Sequence, residues 1–277
     1  MKKLIVLLLA SVLAVSAFAS GKGDSGGSIA RIKKAGVVRI GIFADEFPFG
    51  YVDNQGVYQG YDVYFARRIA RELLGDENAI EFVPVEPANR VELLQSDKVD
   101  IQLANFTVTP ARAEVVDFTL PYQQVSIGIV SPDSAPITEI SQLEGKELIV
   151  DKGTTQETYF TEHYPGIKLV KYDSISAGFA AFKDGRAAAR AQDNTLVFAW
   201  AVQNPGFSAT IGSIGPKDTI AAAVRKGNKE LLDWINNLIT NGLEDDFFHK
   251  NYEATLRPVF GPNVNPESVV VEHGVVK

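Results

Sequence analysis

Residues 37–85 decide the fold class, and they read VVRIGIFADEFPFGYVDNQGVYQGYDVYFARRIARELLGDENAIEFVPV. The run Val37–Phe43 is apolar enough for a buried strand, and Ile80–Val85 has the same character. Between them, Tyr61–Leu74 has apolar residues at helical spacing with charges on the opposite face, and Gly75 ends the pattern. A strand, a helix and a strand at this spacing predict a βαβ unit in a mainly parallel sheet.

The same order continues with a short helix, Arg90–Leu94, and a strand, Val99–Leu103, and then it restarts. The second block predicts strands at Val125–Val130, Leu148–Val150, Ile167–Tyr172 and Ala187–Ala191, and helices at Thr155–Tyr164, Ser176–Lys183 and Thr195–Gln203. A last strand, Ile220–Val224, precedes two helices, Glu230–Asn241 and Leu243–Tyr252.

One late strand cannot form a third domain, so we expect the chain to return to its first lobe. The predicted fold is α/β with two lobes, each a mainly parallel sheet flanked by helices, joined by a two-strand hinge. The two crossings are expected near residues 122–126 and 215–219. Lobe 1 then comprises residues 29–124 and 219–277, and lobe 2 comprises residues 125–218.

The composition narrows the classes of function. The chain has 277 residues, a net charge of -7 and no cysteine. An acidic chain is a poor partner for nucleic acid, which needs a basic face. Without cysteine there is no thiolate metal site, and His163, His249 and His273 lack metal-ligand spacing. No phosphate-binding, dinucleotide-binding or hydrolase motif occurs in the sequence, so we expect no metal, no cofactor and no catalysis.

The N-terminus has the three parts of a secretory signal peptide. Lys2–Lys3 supply positive charge, Leu4–Ala14 is an apolar run, and Ala17–Ala19 is an A-x-A cleavage site. We therefore expect residues 1–19 to be removed and residues 20–28 to form a flexible Gly/Ser-rich leader, which implies a periplasmic protein.

An uncleaved membrane anchor is the alternative for this N-terminus. The apolar run is shorter than the roughly 20 residues that a spanning helix needs. Phe18 stands where a lipoprotein signal would have its cysteine, so no lipid anchor is expected.

Five segments carry a resemblance to one known family: PFGYVDNQGVYQGYDVYFARRIARELLG (48–75), VDIQLANFTVTPARAEVVDFTLPY (99–122), KGTTQETYF (152–160), AQDNTLVFAW (191–200) and FFHKNYEATL (247–256). Together they resemble the polar amino-acid binding proteins, the family-3 periplasmic solute-binding components of ABC transporters. The resemblance implies a type II periplasmic binding protein fold and a free amino acid as ligand. It also implies a membrane permease of an ABC transporter as partner, and a monomer.

Within that family, three shorter segments are similar to the cysteine-binding members. They are ANRVE (88–92), LANFT (103–107) and DNTLVFAW (193–200). Cysteine is therefore the first expected ligand. Other small or polar amino acids, and cystine, stay open.

A free amino acid has a carboxylate and an ammonium, and two residues are the candidates to bind them. Arg112 follows a strand and a Thr-Pro turn, and arginine grips a carboxylate in a planar fork. Asp193 follows a short strand and precedes an apolar helix. From the pattern alone Asp193 is equally well explained as a helix N-cap, and the resemblance favours ammonium binding.

The remaining candidates come from the same segments. Asn105, Phe106 and Thr107 lie at the end of a predicted strand, where open α/β sheets bind ligands. Gly153, Thr154 and Thr155 open a helix whose free N–H groups suit an anion, although simple capping explains them too. The further candidates are two aromatic residues that could cover the ligand and two polar residues that could reach it: Phe49, Tyr51, Arg90 and Gln192.

Two other classes of function stay open on this fold. Related two-lobe proteins include enzymes of the cyclohexadienyl dehydratase kind and ligand-sensing modules, and a fold alone does not separate them from a binding protein. No pair of carboxylates in the sequence stands out as an acid and a base, which favours binding without chemistry.

Overall fold

The computed structural model describes residues 27–262 and 264–276, and the predicted signal peptide, residues 1–19, lies outside them. In the described part the α-helices are α1 (Ser28–Ala35), α2 (Tyr61–Leu74), α3 (Arg90–Gln95), α4 (Pro110–Val115), α5 (Thr155–His163), α6 (Ile175–Lys183), α7 (Asn194–Gln203), α8 (Lys229–Asn237), α9 (Phe247–Thr255) and α10 (Arg257–Phe260). Among these residues, no helix combines the length and the hydropathy that crossing a membrane requires.

The strands are β1 (Val38–Ile42), β2 (Asp45–Glu46), β3 (Gly50–Val52), β4 (Tyr58–Gln59), β5 (Ile80–Pro84), β6 (Ile101–Gln102), β7 (Val116–Pro132), β8 (Glu147–Asp151), β9 (Lys168–Tyr172), β10 (Ala189–Asp193) and β11 (Phe207–Arg225). Eight of them hydrogen-bond in the order β5-β1-β6-β11-β7-β10-β8-β9, and β2-β3-β4 form a small antiparallel sheet. Strand β1 is parallel to β5 and β6, and we call these three the first strand group. Strand β8 is parallel to β9 and β10, and these are the second strand group.

The long strands β7 and β11 connect the two groups. They pair antiparallel from Val116 opposite Arg225 to Pro132 opposite Phe207, with several register shifts between. Strand β11 also pairs with β6, and β7 with β10. The predicted α/β fold of two mainly parallel sheets joined by two strands is confirmed, with one addition. Despite these register shifts, the backbone hydrogen bonds of the connecting strands place both sheets in a single order.

The sequence predicts only short parts of these two strands, Val125–Val130 and Ile220–Val224. The stretch 212–218 contains two glycines and a proline and shows no apolar alternation, so its own β-propensity is low. It is extended because it pairs with β7, whose residues are mostly buried. The register shifts accommodate the residues that fit the ladder poorly.

Helix α2 forms over the predicted residues, Tyr61–Leu74. It ends at Gly75, whose φ of 82° lies in the left-handed region that favours glycine. Its apolar face is buried in the largest hydrophobic core, which also includes residues of β1, α8 and α9. A second apolar cluster lies under β8, β10 and α5.

Helix α1 was not predicted from the sequence, and it begins at Ser28, the last residue of the predicted leader. Two predicted helices near the C-terminus have different bounds in the structure. The predicted helix Glu230–Asn241 is α8 followed by a π-helical turn, Leu238–Gly242, in which the Leu243 N–H donates to the Leu238 carbonyl. Gly242 is a weak helix former, and α9 starts only at Phe247 instead of Leu243.

The aromatic core beneath α2 gives the first testable prediction. Phe65 is fully buried and packs against the rings of Tyr122, Phe247 and Phe248. Phe65→Ala leaves a cavity there, and we expect the free energy of unfolding to fall by about 3–5 kcal/mol in urea titrations. Val202→Ala, at an exposed position, is the control and should change it by less than about 0.5 kcal/mol. A loss below about 1 kcal/mol for Phe65→Ala would contradict this packing.

Candidate ligand-binding site

A small cavity lies at the carboxyl ends of both strand groups, where open α/β sheets bind ligands. Its water-accessible volume is only about 10 Å³, close to the least that holds one water molecule. Its lining residues lie at the ends of, or follow, β1, β5 and β6 on one side and β8, β9 and β10 on the other: Phe43, Glu46, Pro87, Arg90, Asn105, Thr107, Arg112, Thr154, Thr155, Gln156, Ile175, Gln192 and Asp193.

Arg112 supplies a guanidinium to this cavity from the short helix α4. The helix begins where the Thr109 hydroxyl accepts a hydrogen bond from the Arg112 N–H, at 3.2 Å. The guanidinium donates to the carbonyl of Thr107 at 2.7 Å and to that of Gly153 at 2.9 Å. Burial lowers the pKa of Arg112 to about 10, so the group stays positively charged at neutral pH.

Arg90 is a second guanidinium in the cavity wall, but its N–H groups are engaged by the backbone. It donates to the carbonyl of Pro87 at 3.0 Å and to that of Ala104 at 3.0 Å. Burial, and then the charge of Arg112, lower its pKa to about 9. The ring of Phe106 lies 4.6 Å from the Arg90 guanidinium carbon and 4.8 Å from that of Arg112. Phe106 therefore stacks on both cations and does not line the cavity.

Asp193 lies on the opposite side, at the end of β10. It occupies the N-cap position of α7, yet its side chain makes no capping hydrogen bond. The carboxylate instead accepts from the Gln156 amide at 2.7 Å and from the Asn105 amide at 2.8 Å. Burial, with 5% of the residue exposed, raises its pKa to about 6. The alternative that Asp193 serves only as a helix cap does not fit this side-chain geometry.

Asn105 connects the two sides through that 2.8 Å bond, and its backbone is strained. Ala104 and Asn105 have φ values of 42° and 45°, a region that residues other than glycine seldom adopt. The buried Asp62 holds this turn by accepting from the Asn105 N–H at 2.6 Å. Strained backbone of this kind concentrates at binding and catalytic sites. It also ends β6 after only two residues and directs Asn105 into the cavity.

A buried ion pair is linked to Asp193 through the side chain of Gln192. Asp151, at the end of β8, pairs with Arg190 at 2.6 Å, and both side chains are inaccessible to solvent. Asp151 also accepts from the Gln192 amide at 2.8 Å, and the Gln192 oxygen accepts from the Asp193 N–H at 2.9 Å. A Cβ on Gly178 would lie 1.8 Å from an Arg190 nitrogen, so the pair has room only because residue 178 is glycine. This network holds the backbone at Asp193, while the Asn105 and Gln156 amides hold its side chain.

The residues at the start of α5 directly contact the side of the cavity that carries Arg112. Thr154 caps the helix by accepting from the Glu157 N–H, and both Thr154 and Thr155 line the cavity. Gly153 does not line it; its carbonyl accepts from Arg112. Gly153 has a φ of 76°, and a Cβ there would lie 2.6 Å from the Ala88 Cα. Glycine therefore permits the close approach of the two sides at this point.

Phe49 and Tyr51 were predicted to cover the ligand, but neither residue lines the cavity, and both predictions are corrected. Phe49 is 0% exposed and lies in the main core, where β2 and β3 turn its ring inward. Tyr51 lies in β3 and is half-buried, and its ring packs edge-on against Phe47, with ring centroids 4.8 Å apart. The aromatic ring that does line the cavity is Phe43, the residue directly after β1.

Of the predicted residues, the structure brings Arg90, Asn105, Thr107, Arg112, Thr154, Thr155, Gln192 and Asp193 together around the cavity. Five further residues line the cavity and were not predicted from the sequence: Phe43, Glu46, Pro87, Gln156 and Ile175. Each of these also follows a strand of one of the two groups, so position at a strand's carboxyl end was the signal that could have found them.

Residues 38–255 match the family of bacterial extracellular solute-binding proteins, family 3. The chain belongs to this family. The family predicted from the sequence is confirmed, and the chain is a substrate-binding protein.

Relatives with solved structures match this solute-binding protein over almost their whole length. A cysteine-binding protein from Campylobacter jejuni is 52% identical, with a TM-score of 0.87 over 89% of this chain and 100% of that one. A solute receptor for L-cysteine of Neisseria gonorrhoeae is 50% identical, with a TM-score of 0.86 over 88% and 99%. An ABC transporter glutamine-binding protein from Bacillus subtilis is 27% identical over 93% of this chain and 98% of its own.

The raised pKa of Asp193 gives the solute-binding protein a testable pH dependence. An unfolded aspartate titrates near 3.9, so the folded protein binds more protons between about pH 4 and 6. The stability due to this carboxyl is therefore present at low pH and is lost as pH rises through 6, by about 3 kcal/mol.

Asp193→Asn removes that titration. In ligand-free protein, the difference in free energy of unfolding between variant and wild type should shift in favour of the variant by about 3 kcal/mol from pH 4 to pH 7. Urea titrations at several pH values measure it. Asp184→Asn, at an exposed position, is the matched control. Parallel curves for Asp193→Asn and wild type would show that the Asp193 carboxyl is not desolvated.

Proposed function

We propose that this solute-binding protein captures one free L-α-amino acid in the cavity, cysteine first, and delivers it to the permease of an ABC importer. The observation that supports this most directly is the placement of Arg112 and Asp193 on opposite sides of one small cavity. Both lie in the described part of the chain, and no salt bridge joins them there. A zwitterion offers each of them the opposite charge.

The carboxylate of the ligand is assigned to the Arg112 side. A guanidinium binds a carboxylate through two parallel hydrogen bonds, which neither a lysine nor a hydroxyl can offer. Thr107 and Thr155 add hydroxyl donors to the cavity lining, whereas the Thr154 hydroxyl donates to the Asp151 carbonyl at 2.6 Å. The first turn of α5 contributes N–H groups without partners inside the helix, and these suit an anion.

The ammonium is assigned to Asp193. The Asn105 and Gln156 amides hold its carboxylate, and a bound ammonium within about 4 Å would favour the ionised form. Burial alone pushes the pKa of Asp193 upward, so the ligand's positive charge compensates a desolvated carboxylate. Loss of the ammonium would leave the Asp193 carboxylate buried without this compensation.

Cysteine is the first choice of ligand because of the relatives with solved structures. Those at 50% and 52% identity are a receptor for L-cysteine and a cysteine-binding protein.

We further propose that the protein opens and closes around the ligand. Lobe 1 would comprise residues 29–124 and 219–277, lobe 2 residues 125–218, and the hinge the crossings in β7 and β11. Arg112 and Asp193 would belong to different lobes, so a ligand gains both contacts only when the lobes close. Binding then shifts the population towards the closed form.

We also propose that the protein is exported and that it releases its ligand unchanged. The N-terminal segment would direct the chain to the periplasm, with cleavage before Ser20, and the mature protein would act as a monomer. A dehydratase-like enzyme would convert its bound substrate. Incubation with prephenate or arogenate followed by mass spectrometry distinguishes the two, since a product peak would favour the enzyme.

The Arg112 assignment yields a testable prediction. Arg112→Ala removes a charge-assisted contact in the cavity and should weaken L-cysteine binding about a hundredfold or more in calorimetry. L-Cysteine amide, which lacks the carboxylate, should bind the wild type at least as weakly. Arg186→Ala, at an exposed position, is the control and should bind like wild type. Equal affinity of the wild type for acid and amide would contradict the assignment.

A further inference from the structure

Glu46 has an unsatisfied carboxyl oxygen inside the cavity. The residue is 2% exposed and lines the cavity from the end of β2. One oxygen, Oε1, accepts a long hydrogen bond of 3.3 Å from the Asn105 amide. The other, Oε2, is fully buried and has no hydrogen-bond partner. Among the described residues that line the cavity, no other side chain leaves a fully buried oxygen in this state.

The neighbouring cations do not satisfy this oxygen. Arg90 donates to the carbonyls of Pro87, Ala104 and Asn105, and Arg112 donates to those of Thr107 and Gly153. A buried polar atom without a partner costs free energy, so such an atom in a cavity wall points to a missing ligand group.

The rest of the cavity indicates which ligand group that is. In the proposed function, the ligand carboxylate lies near Arg112 and its ammonium near Asp193. Of the other lining residues, Phe43, Pro87 and Ile175 are apolar. The side chains of Arg90, Gln156 and Gln192 already hydrogen-bond protein groups. Glu46 is then the polar group with a free oxygen that a ligand side chain would meet.

We propose that Glu46 is a specificity-determining residue that hydrogen-bonds a polar atom at the γ position of the ligand side chain, a thiol or a hydroxyl. The assignment rests on the proposed function, because it takes the positions of the carboxylate and the ammonium from it. The substrate class is thereby narrowed to short amino acids with a polar γ-atom. A ligand with a methyl group at that position leaves Oε2 unpartnered, and sites of this kind reject such ligands.

The protonation state of Glu46 fits this role. Burial, and then the nearby charge of Asp193, raise its pKa well above the usual range of a glutamate. A neutral carboxyl has an O–H donor and an accepting oxygen, so it can pair with sulfur or oxygen without adding an unpaired buried charge. A neutral Glu46 also leaves Asp193 as the negative charge that faces the ammonium.

The test compares L-cysteine with L-α-aminobutyrate, which has a methyl group in place of the thiol. Calorimetric titrations under reducing conditions at pH 7 use the wild type, Glu46→Leu, Glu46→Gln and Glu92→Leu. The wild type should prefer cysteine by about tenfold or more, which corresponds to about 1.4 kcal/mol. Glu46→Leu should reduce this preference to about twofold or less. Glu46→Gln, which keeps a donor and an acceptor, should retain most of it.

Glu92→Leu is the matched control, since Glu92 is exposed on α3 outside the cavity, and it should behave like wild type. Equal weakening of both ligands in Glu46→Leu, with the preference retained, would place Glu46 at the ammonium or in a structural role and overturn the assignment. A wild type that binds both ligands equally overturns it without any variant. A wild type that binds neither amino acid overturns the proposed function, and the assignment with it.

Discussion

Two opposite charges that line one cavity without a salt bridge between them are the constraint on which the site depends. Arg112 is held by backbone carbonyls and Asp193 by side-chain amides. Asp193 is buried and Arg112 is half-buried, and loss of hydration shifts the pKa of each. In the proposed function, a zwitterion supplies a counter-charge to both groups at once.

The groups on both sides of the cavity occupy the same kind of position in the fold, the carboxyl end of a strand. Every cavity residue lies at the carboxyl end of a strand of one of the two groups or follows that strand. The strained turn at Ala104 and Asn105 and the buried pair of Asp151 and Arg190 orient the side chains on either side. Because β7 and β11 carry the connection between the groups, the distance across the cavity depends on the conformation of two extended segments.

The sequence predicts much of this arrangement, for identifiable reasons. Helix α2 is amphipathic and is bounded by glycines, so pattern alone places it. Arg112 and Asp193 lie in segments that resemble a known family, and the structure brings them to one cavity. The full lengths of β7 and β11 escape prediction because tertiary pairing, and not local propensity, makes residues 212–218 extended.

The errors at the site have a common cause. Phe49 looks like a binding aromatic because it lies in a loop after a strand, but the pairing of β2 with β3 turns it into the core. Glu46, at the end of β2, was not singled out from the sequence, and only its burial in the structure marks it. Which face of a short loop points inward depends on the pairing of a three-stranded sheet that leaves almost no periodic signal.

A crystal structure of the mature protein with bound L-cysteine shows whether one ligand contacts both Arg112 and Asp193. We expect the ligand carboxylate within hydrogen-bonding distance of the Arg112 guanidinium, about 2.7–3.2 Å, and the ammonium at the same range from Asp193. A ligand that lies outside this cavity, or that contacts only one of the two residues, would contradict it.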